Sequence, residues 1–243
     1  EDTKPRNLAL ERFRGIGAVM VVLIHAPPLL HSSLPALQRS GWVVRELCQV
    51  AVPFFFLLSG FLMGLKWKRG RDDWQEFSRS LTRLLALYLP WFFLFLALDI
   101  GRDMPHSPEV VLRRLFGFSI DGSKTTGFHL WFLPSLALAQ IVCWTSQRFT
   151  KSVMPAFVAG FGLFLLFYVR EVLLLDAPFR MIATEGMNLS LVCVASGALL
   201  GLRGSLPRVG PGGVLSCLGG LLLEGAILQW VAPGEEPVHA FQF

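Results

Sequence analysis

Residues 52–62 read VPFFFLLSGFL, the segment of the sequence that most directly indicates the fold class. It contains no charged residue, and Ser59 carries its only polar side chain. The surrounding sequence stays almost uncharged from Leu47 as far as Lys66, which is long enough for a helix to cross a hydrocarbon core of about 30 Å. This part of the sequence therefore predicts a membrane helix.

The composition of the whole chain agrees with a lipid environment. Of its 243 residues 53% are hydrophobic and only 16% are charged, whereas soluble domains contain about 25% charged residues. The mean hydropathy is +0.55. The predicted membrane spans begin near Phe13, Leu47, Leu84, His129, Val153, Met187 and Val214. We therefore expect an all-α polytopic transmembrane bundle with about seven membrane helices, forming a single domain over residues 1–243.

The basic residues indicate topology and argue against nucleic-acid binding. The formal charge is +5, but Lys and Arg are distributed between the apolar stretches and form no single patch in the sequence. Most of them fall on the side that also holds the amino terminus, so the positive-inside rule predicts a cytoplasmic amino terminus. The cysteines show no metal-like spacing, and no metal site is expected. They are Cys48, Cys143, Cys193 and Cys217.

His25 is the sharpest candidate for chemistry, since a titratable side chain within an apolar helix is costly and marks a functional position by default. Arg14 precedes it by eleven positions, which is three helical turns plus about 20°, so both side chains share one face roughly 16 Å apart. Pro27 and Pro28 predict that the helix kinks or ends beside the imidazole. The alternative is that His25 bonds a neighbouring helix and Arg14 only anchors the cytoplasmic end.

Five stretches in the expected order resemble the acyltransferase 3 family of integral membrane enzymes, which transfer acyl groups to carbohydrates. Arg14 and His25 stand in the family's arrangement of an arginine, ten intervening residues and a histidine. The five stretches are LERFRGIG (10–17) with VVLIH (21–25), VPFFFLLSGFL (52–62), RSLTRLL (79–85) with YLPW (88–91), HLWFL (129–133) and SGALLG (196–201).

The resemblance implies that His25 and Arg14 are catalytic. Imidazole, with an unperturbed pKa of about 6.5, can take the proton of an attacking hydroxyl and return one to the leaving thiolate. Arg79, Arg83 and Arg69 would bind the phosphates of an acyl-coenzyme A (acyl-CoA) donor, because guanidinium groups bind phosphate through two parallel hydrogen bonds. Two basic residues three apart are common in the family at this point, whereas Arg79 and Arg83 are four apart.

Three further residues are candidates for substrate binding, each with a structural alternative. His129 and Trp131 begin the predicted fourth span, where an aromatic face could stack on a sugar, although Trp131 could equally belong to an interfacial belt. Ser59 could bond a substrate, or serve close helix packing beside Gly60. The cytoplasmic stretch from Lys66 to Arg83 is read as a basic loop with interleaved aromatic residues.

The resemblance also implies the wider setting of the reaction. The expected partners are membrane lipid, acyl-CoA as co-substrate and a cell-envelope glycan, with acetyl as the expected acyl group, no bound cofactor and a location in the bacterial inner membrane. Members of the family typically have more membrane helices, so we expect this chain to be incomplete at its carboxyl end. The competing hypotheses are a transporter or flippase and a non-catalytic remnant of the enzyme scaffold.

Overall fold

The computed structural model of the chain describes residues 8–26, 33–70, 74–100, 128–174 and 187–204. All regular structure in these ranges is helical, which confirms the all-α prediction for them. They divide into two compact units, one up to Phe55 and the other from Phe56 onwards. The α-helices are α1 (Leu8–His25), α2 (Pro35–Cys48), α3 (Ala51–Lys68), α4 (Trp74–Ile100), α5 (Phe132–Thr150), α6 (Met154–Leu174) and α7 (Met187–Arg203), with a 3-10 helix at Phe128–Trp131.

The predicted spans and the helices largely coincide. Each span has a corresponding helix except the one beginning near Val214, which lies outside the described residues. One helix, α2, was not predicted as a span, because its sequence PALQRSGWVVRELC mixes polar and apolar residues. In the described ranges, α3 is the one helix that is long and apolar enough to cross a bilayer. The polytopic arrangement therefore stays a prediction.

In the first unit, α1 packs against α2 and against the beginning of α3. Gly17 of α1 lies under the ring of Phe55, and the ring centroids of Phe13 and Phe54 are 6.5 Å apart. The helix α1 ends at His25, and the Ala26 amide makes the last hydrogen bond, 2.8 Å to the Val22 carbonyl. An end beside His25 is what the two following prolines predicted.

In the second unit, α7 lies between α5 and α6 and supplies much of the core. Small and β-branched residues of α7 are fully buried, as is Ala139 of α5 at 1% exposure. At the start of α5, Leu130 and Leu133 pack against Phe92 of α4, so α4 closes another side of α5. The fully buried residues of α7 are Ser190, Val194, Ala195 and Ala198.

Paired glycines bring the backbones of α3 and α7 into contact. Gly60 lies against the backbone of Val194, and Gly64, one turn later, lies against that of Ala198. The reciprocal contacts join Gly197 to Leu57 and Gly201 to Phe61. Contact positions advance together along both helices, so α3 and α7 run parallel. Spacing small residues four apart is the common way for helices in lipid to approach closely.

Large apolar side chains cover the outward sides of α4 and α6. Phe93 on α4 is 60% exposed and Leu166 on α6 is 63% exposed, and several leucines beside them are similarly placed. Contiguous apolar surface on this scale is unusual in a soluble monomer and marks contact with lipid or with another protein. The other exposed residues are Leu85, Leu87, Leu89, Trp91, Leu94, Leu98, Val158, Phe161, Leu163 and Leu165.

Candidate functional site

The two predicted catalytic residues lie on one unbroken helix in the first unit. Because α1 runs without interruption from Leu8 to His25, the eleven-residue spacing puts Arg14 and His25 on the same face. Both side chains are exposed, and His25 is the last residue of α1. The helix thus has the predicted geometry, while the catalytic roles of the two residues remain a prediction.

In the second unit, the helix ends gather basic residues that are far apart in the sequence. The carboxyl ends of α3, α5 and α7 meet the amino ends of α4 and α6 at one end of this unit. The basic residues there, called the basic end below, are Lys66, Lys68, Arg69, Arg79, Arg83, Arg148, Lys151 and Arg203. Among the described residues, Glu76 is the only carboxylate at this end.

Two polar contacts hold the basic end together. Lys68 Nζ donates to the carbonyl oxygen of Arg203 at 2.8 Å and so satisfies a free carbonyl at the end of α7. The ammonium group of Lys66 pairs with the carboxylate of Glu76 at 3.3 Å and links α3 to α4. Both lysines are exposed, so these contacts fix positions more than they stabilise the fold.

The prediction that Lys66 to Arg83 form a loop was wrong, because most of this stretch is helical. Helix α3 continues to Lys68 and α4 begins at Trp74, because the charged and aromatic residues of this stretch form the outer turns of the two helices. Arg79 and Arg83 therefore lie on α4, one turn apart on the same face, and both are exposed. Arg69 is exposed in the short connection after α3.

Ser59, predicted to bind substrate, makes a hydrogen bond inside the helix bundle. Gln140 Nε2 on α5 donates to Ser59 Oγ at 2.7 Å, and Gln140 is 5% exposed. The Gln140 Oε1 atom is buried and has no hydrogen-bond partner among the residues that the structure describes. Beside this pair, Gly60 packs against Val194 as the close-packing alternative expected. Whether Ser59 also contacts a substrate remains a prediction.

The Ser59–Gln140 contact allows a test of this buried polar pair. We expect Ser59→Ala alone to lower the free energy of unfolding by about 1–2 kcal/mol, because it leaves a second polar atom of Gln140 without a partner. Adding Gln140→Met should recover most of that loss, since both polar groups are then gone. Reversible unfolding of the two single variants and the double variant in detergent measures the coupling. Strictly additive losses would show that the pair has no energetic link.

The remaining substrate candidates lie at the beginning of α5. His129 falls in the 3-10 helix, as does Trp131, which ends it. Trp131 is 6% exposed, and its ring meets Phe56 edge-on with centroids 6.1 Å apart. An interfacial belt residue presents its ring to the headgroups, whereas this ring is packed within the second unit.

Sequence reasoning did not identify Gln140, although a signal was present. The residues predicted to be functional because they are costly to bury in a membrane helix were ionisable. Gln140 is instead a neutral amide within the apolar stretch 132–143. Amides within membrane helices bond across helix interfaces by the same physical argument that singled out His25. The missed signal was thus an uncharged polar residue among apolar ones.

Comparison with known proteins gives one family and several relatives. The model of the acyltransferase domain of the acyltransferase 3 family matches residues 7–239. A serine/alanine racemase of Enterococcus gallinarum is 29% identical over 168 residues, which cover 66% of this chain and 22% of the relative. An amino-acid racemase of Enterococcus faecalis is 30% identical over 141 residues, covering 57% and 19%.

The chain thus spans about a fifth of the length of the curated relatives it matches. No solved structure matches it. The family match, in contrast, covers nearly the whole sequence and includes every candidate residue from Arg14 to Trp131. On that match, the chain belongs to the acyltransferase 3 family of membrane-associated acyltransferases.

Proposed function

We propose that this chain is a multi-pass membrane O-acyltransferase, which moves an acyl group from a cytoplasmic acyl-CoA to a hydroxyl group of a cell-envelope or exported glycan. Acetyl is the expected acyl group. The observation that carries the proposal is the basic end of the second unit, in a chain whose family transfers acyl groups. The protein would lie in the inner membrane of a bacterial cell, with its amino terminus in the cytoplasm.

The basic end supports an anionic donor on the cytoplasmic side. Positive charge is concentrated on cytoplasmic loops and helix ends in membrane proteins, and here one end of five helices carries it. Arg79 and Arg83 present two guanidinium groups on one face of α4, which suits the phosphate groups of a nucleotide thioester. The ion pair of Lys66 with Glu76 fixes the neighbouring end of α3.

The exposed apolar sides of α4 and α6 support a membrane location. Leaving such side chains in water is unfavourable, at about 25 cal/mol for each Å² of apolar surface. In lipid the same surfaces are solvated, and the buried amide and hydroxyl groups between helices become the interhelical contacts that such bundles use. A bilayer would therefore explain both the exposed apolar surface of the second unit and the polar contacts buried between its helices.

The chemistry assigned to His25 is proton transfer. Its imidazole would take the proton from the acceptor hydroxyl as the oxygen attacks the thioester carbonyl. The tetrahedral intermediate then collapses with cleavage of the carbon–sulfur bond, and the imidazolium returns the proton to the thiolate of coenzyme A. Arg14, on the same face of α1, would hold an anionic part of a substrate.

The racemase names of the relatives do not decide the activity of this chain. About four-fifths of each relative lies outside the matched section, and that part can hold the racemase chemistry. A transporter remains the alternative from a different class, because basic helix ends and polar groups between membrane helices serve solute movement too.

Reconstituted protein separates these functions directly. Vesicles containing the full-length protein are supplied with acyl-CoA labelled in the acyl group and with candidate glycans, and labelled product is quantified by mass spectrometry. In parallel, uptake into the vesicles is measured for labelled serine and alanine, the two amino acids in the name of one relative. Acylated glycan without uptake is the expected result, whereas uptake without acylated product would overturn the enzyme proposal.

Donor binding at the basic end gives a second expected outcome. We expect Arg83→Gln to raise the donor KM by about 10- to 100-fold, since a hydrogen bond to a charged group contributes about 1.5–3 kcal/mol. The rate constant kcat should change much less, because Arg83 is assigned to binding and not to proton transfer. Steady-state kinetics at varied acyl-CoA concentration provide the measurement. Arg12→Gln, which removes an exposed guanidinium group on α1 outside the basic end, is the matched control and should leave KM nearly unchanged.

A further inference from the structure

Three aromatic rings form a fixed cluster at the basic end of the second unit. Phe77 of α4 stacks on Trp144 of α5, with ring centroids 4.8 Å apart and an interplanar angle of 13°. Trp74, the first residue of α4, leans on both rings, 5.2 Å from Trp144 and 5.7 Å from Phe77. We call these residues the aromatic platform.

The exposure of the platform differs from ring to ring. Phe77 is buried at 8% exposure, while Trp74 is 59% exposed although two other rings support it. Each contact between aromatic rings contributes about 0.5–1.5 kcal/mol beyond burial, so the position of Trp74 is restrained. The indole ring of Trp74 contacts two rings on one side and is exposed on the other. Its exposed side can therefore stack against another flat ring.

An exposed cation lies beside the platform. Arg148 follows Trp144 by four residues on α5, about 6 Å along the helix axis and 40° around it, so it shares the face that meets Trp74. Its side chain is exposed. Arg79 and Arg83 emerge from the side of α4 turned 140–180° away from Trp74 by helix geometry, at about 100° per residue, so the phosphate group at Arg148 is a different one from those assigned to Arg79 and Arg83.

We propose that the aromatic platform and Arg148 bind the nucleotide portion of the donor: the purine base stacks on Trp74 and a phosphate group pairs with Arg148. The proposal rests on the proposed function, because it presumes a nucleotide thioester donor at the basic end. Stacking of a base on an aromatic side chain, together with phosphate binding by arginine, is the usual combination in nucleotide recognition. It assigns a site to Trp74, Phe77, Trp144 and Arg148.

The rival explanation is that Trp74 lies in the interfacial belt and contacts lipid headgroups. The two explanations predict different ligand selectivity for the site. A nucleotide site binds coenzyme A more tightly than pantetheine, which lacks the base and the phosphates of the nucleotide. A belt residue affects neither ligand and changes only the interaction of the protein with lipid.

The experiment measures binding of coenzyme A and of pantetheine by calorimetry, using the full-length protein in zwitterionic nanodiscs. Trp74→Ala should weaken coenzyme A binding by about 5- to 150-fold, the range for loss of one stacked base. Trp74→Phe should retain most of the affinity, and Arg148→Gln should reduce it in a salt-dependent way. Pantetheine binding should be the same in all variants. Phe149→Ala, which removes an 80% exposed ring next to Arg148, is the matched control.

Two results would overturn the inference. One is unchanged coenzyme A affinity in Trp74→Ala, with or without altered lipid interaction, which would make Trp74 a belt residue. The other is no coenzyme A binding by the unmodified protein at millimolar concentration. Acyl transfer is assayed separately, so activity that survives Trp74→Ala with an unchanged donor KM refutes the platform alone. Coenzyme A binding that depends on Trp74 in a protein without transfer activity refutes the proposed function alone.

Discussion

Replacing His25 by alanine is expected to lower kcat for acyl transfer by about 10²- to 10⁴-fold, the usual contribution of a general acid–base residue. The physical reason is that α1 carries no titratable side chain between Arg14 and His25, so no neighbour on this part of the helix can take over the proton. The donor KM should change little, because the phosphate groups are assigned to arginines of the second unit.

The control for this experiment is Val22→Ala, which shortens an exposed side chain about one turn before His25 on the same helix. It should leave kcat within about two-fold, as surface substitutions usually perturb a fold little. Thermal unfolding of both variants verifies that the fold is intact. If His25→Ala retained more than a tenth of the activity, His25 would be a structural residue of α1 and the assigned chemistry would have to be abandoned.

The second large effect concerns stability and needs no assumption about function. We expect Gly197→Ala to lower the free energy of unfolding by about 3 kcal/mol, at the upper end of the usual range for overpacking. The added methyl group would overlap the carbonyl oxygen of Leu57, and a backbone atom of α3 can move only if the whole helix moves. The substitution should therefore separate α3 from α7 instead of being absorbed locally.

Gly162→Ala on α6 is the matched control, because no atom in the described part of the chain lies within 4 Å of a Cβ added there. This variant should be neutral or more stable by up to about 1 kcal/mol, since alanine is the better helix former. Unfolding of both variants by titration with a denaturing detergent gives the two free energies. Equal stability of Gly197→Ala and Gly162→Ala would show that α3 and α7 are not held at backbone distance.

The sequence predicted well those features that depend on local hydropathy and on proline. The spans beginning near Phe13, Leu47, Val153 and Met187 all correspond to helices, and α1 ends at His25 as Pro27 and Pro28 required. It predicted α2 poorly, because an amphipathic segment such as PALQRSGWVVRELC has no long apolar stretch to reveal it. It also started α4 ten residues late, at the point where hydropathy rises and not at Trp74 where the helix begins.

The candidate site shows a different limit. In the sequence the basic residues are far apart, and only the antiparallel course of successive helices brings Lys66, Arg79 and Arg148 to one end of the second unit. The Ser59–Gln140 hydrogen bond joins residues 81 positions apart, a pairing that no local pattern contains. Composition and spacing predict candidate residues, whereas the partners of those residues depend on which helices pack together.

The glycine contacts between α3 and α7 also affect how this protein is made. Lys68 and Arg203, which meet at the far end of this helix pair, are 135 residues apart in the chain. At synthesis rates of about 5–20 residues per second, α3 waits about 7–27 s after leaving the ribosome before its partner exists. During that interval its glycine-lined groove is open to any other small-residue helix emerging nearby. The nascent protein is therefore exposed to mispairing of α3 until α7 has been translated.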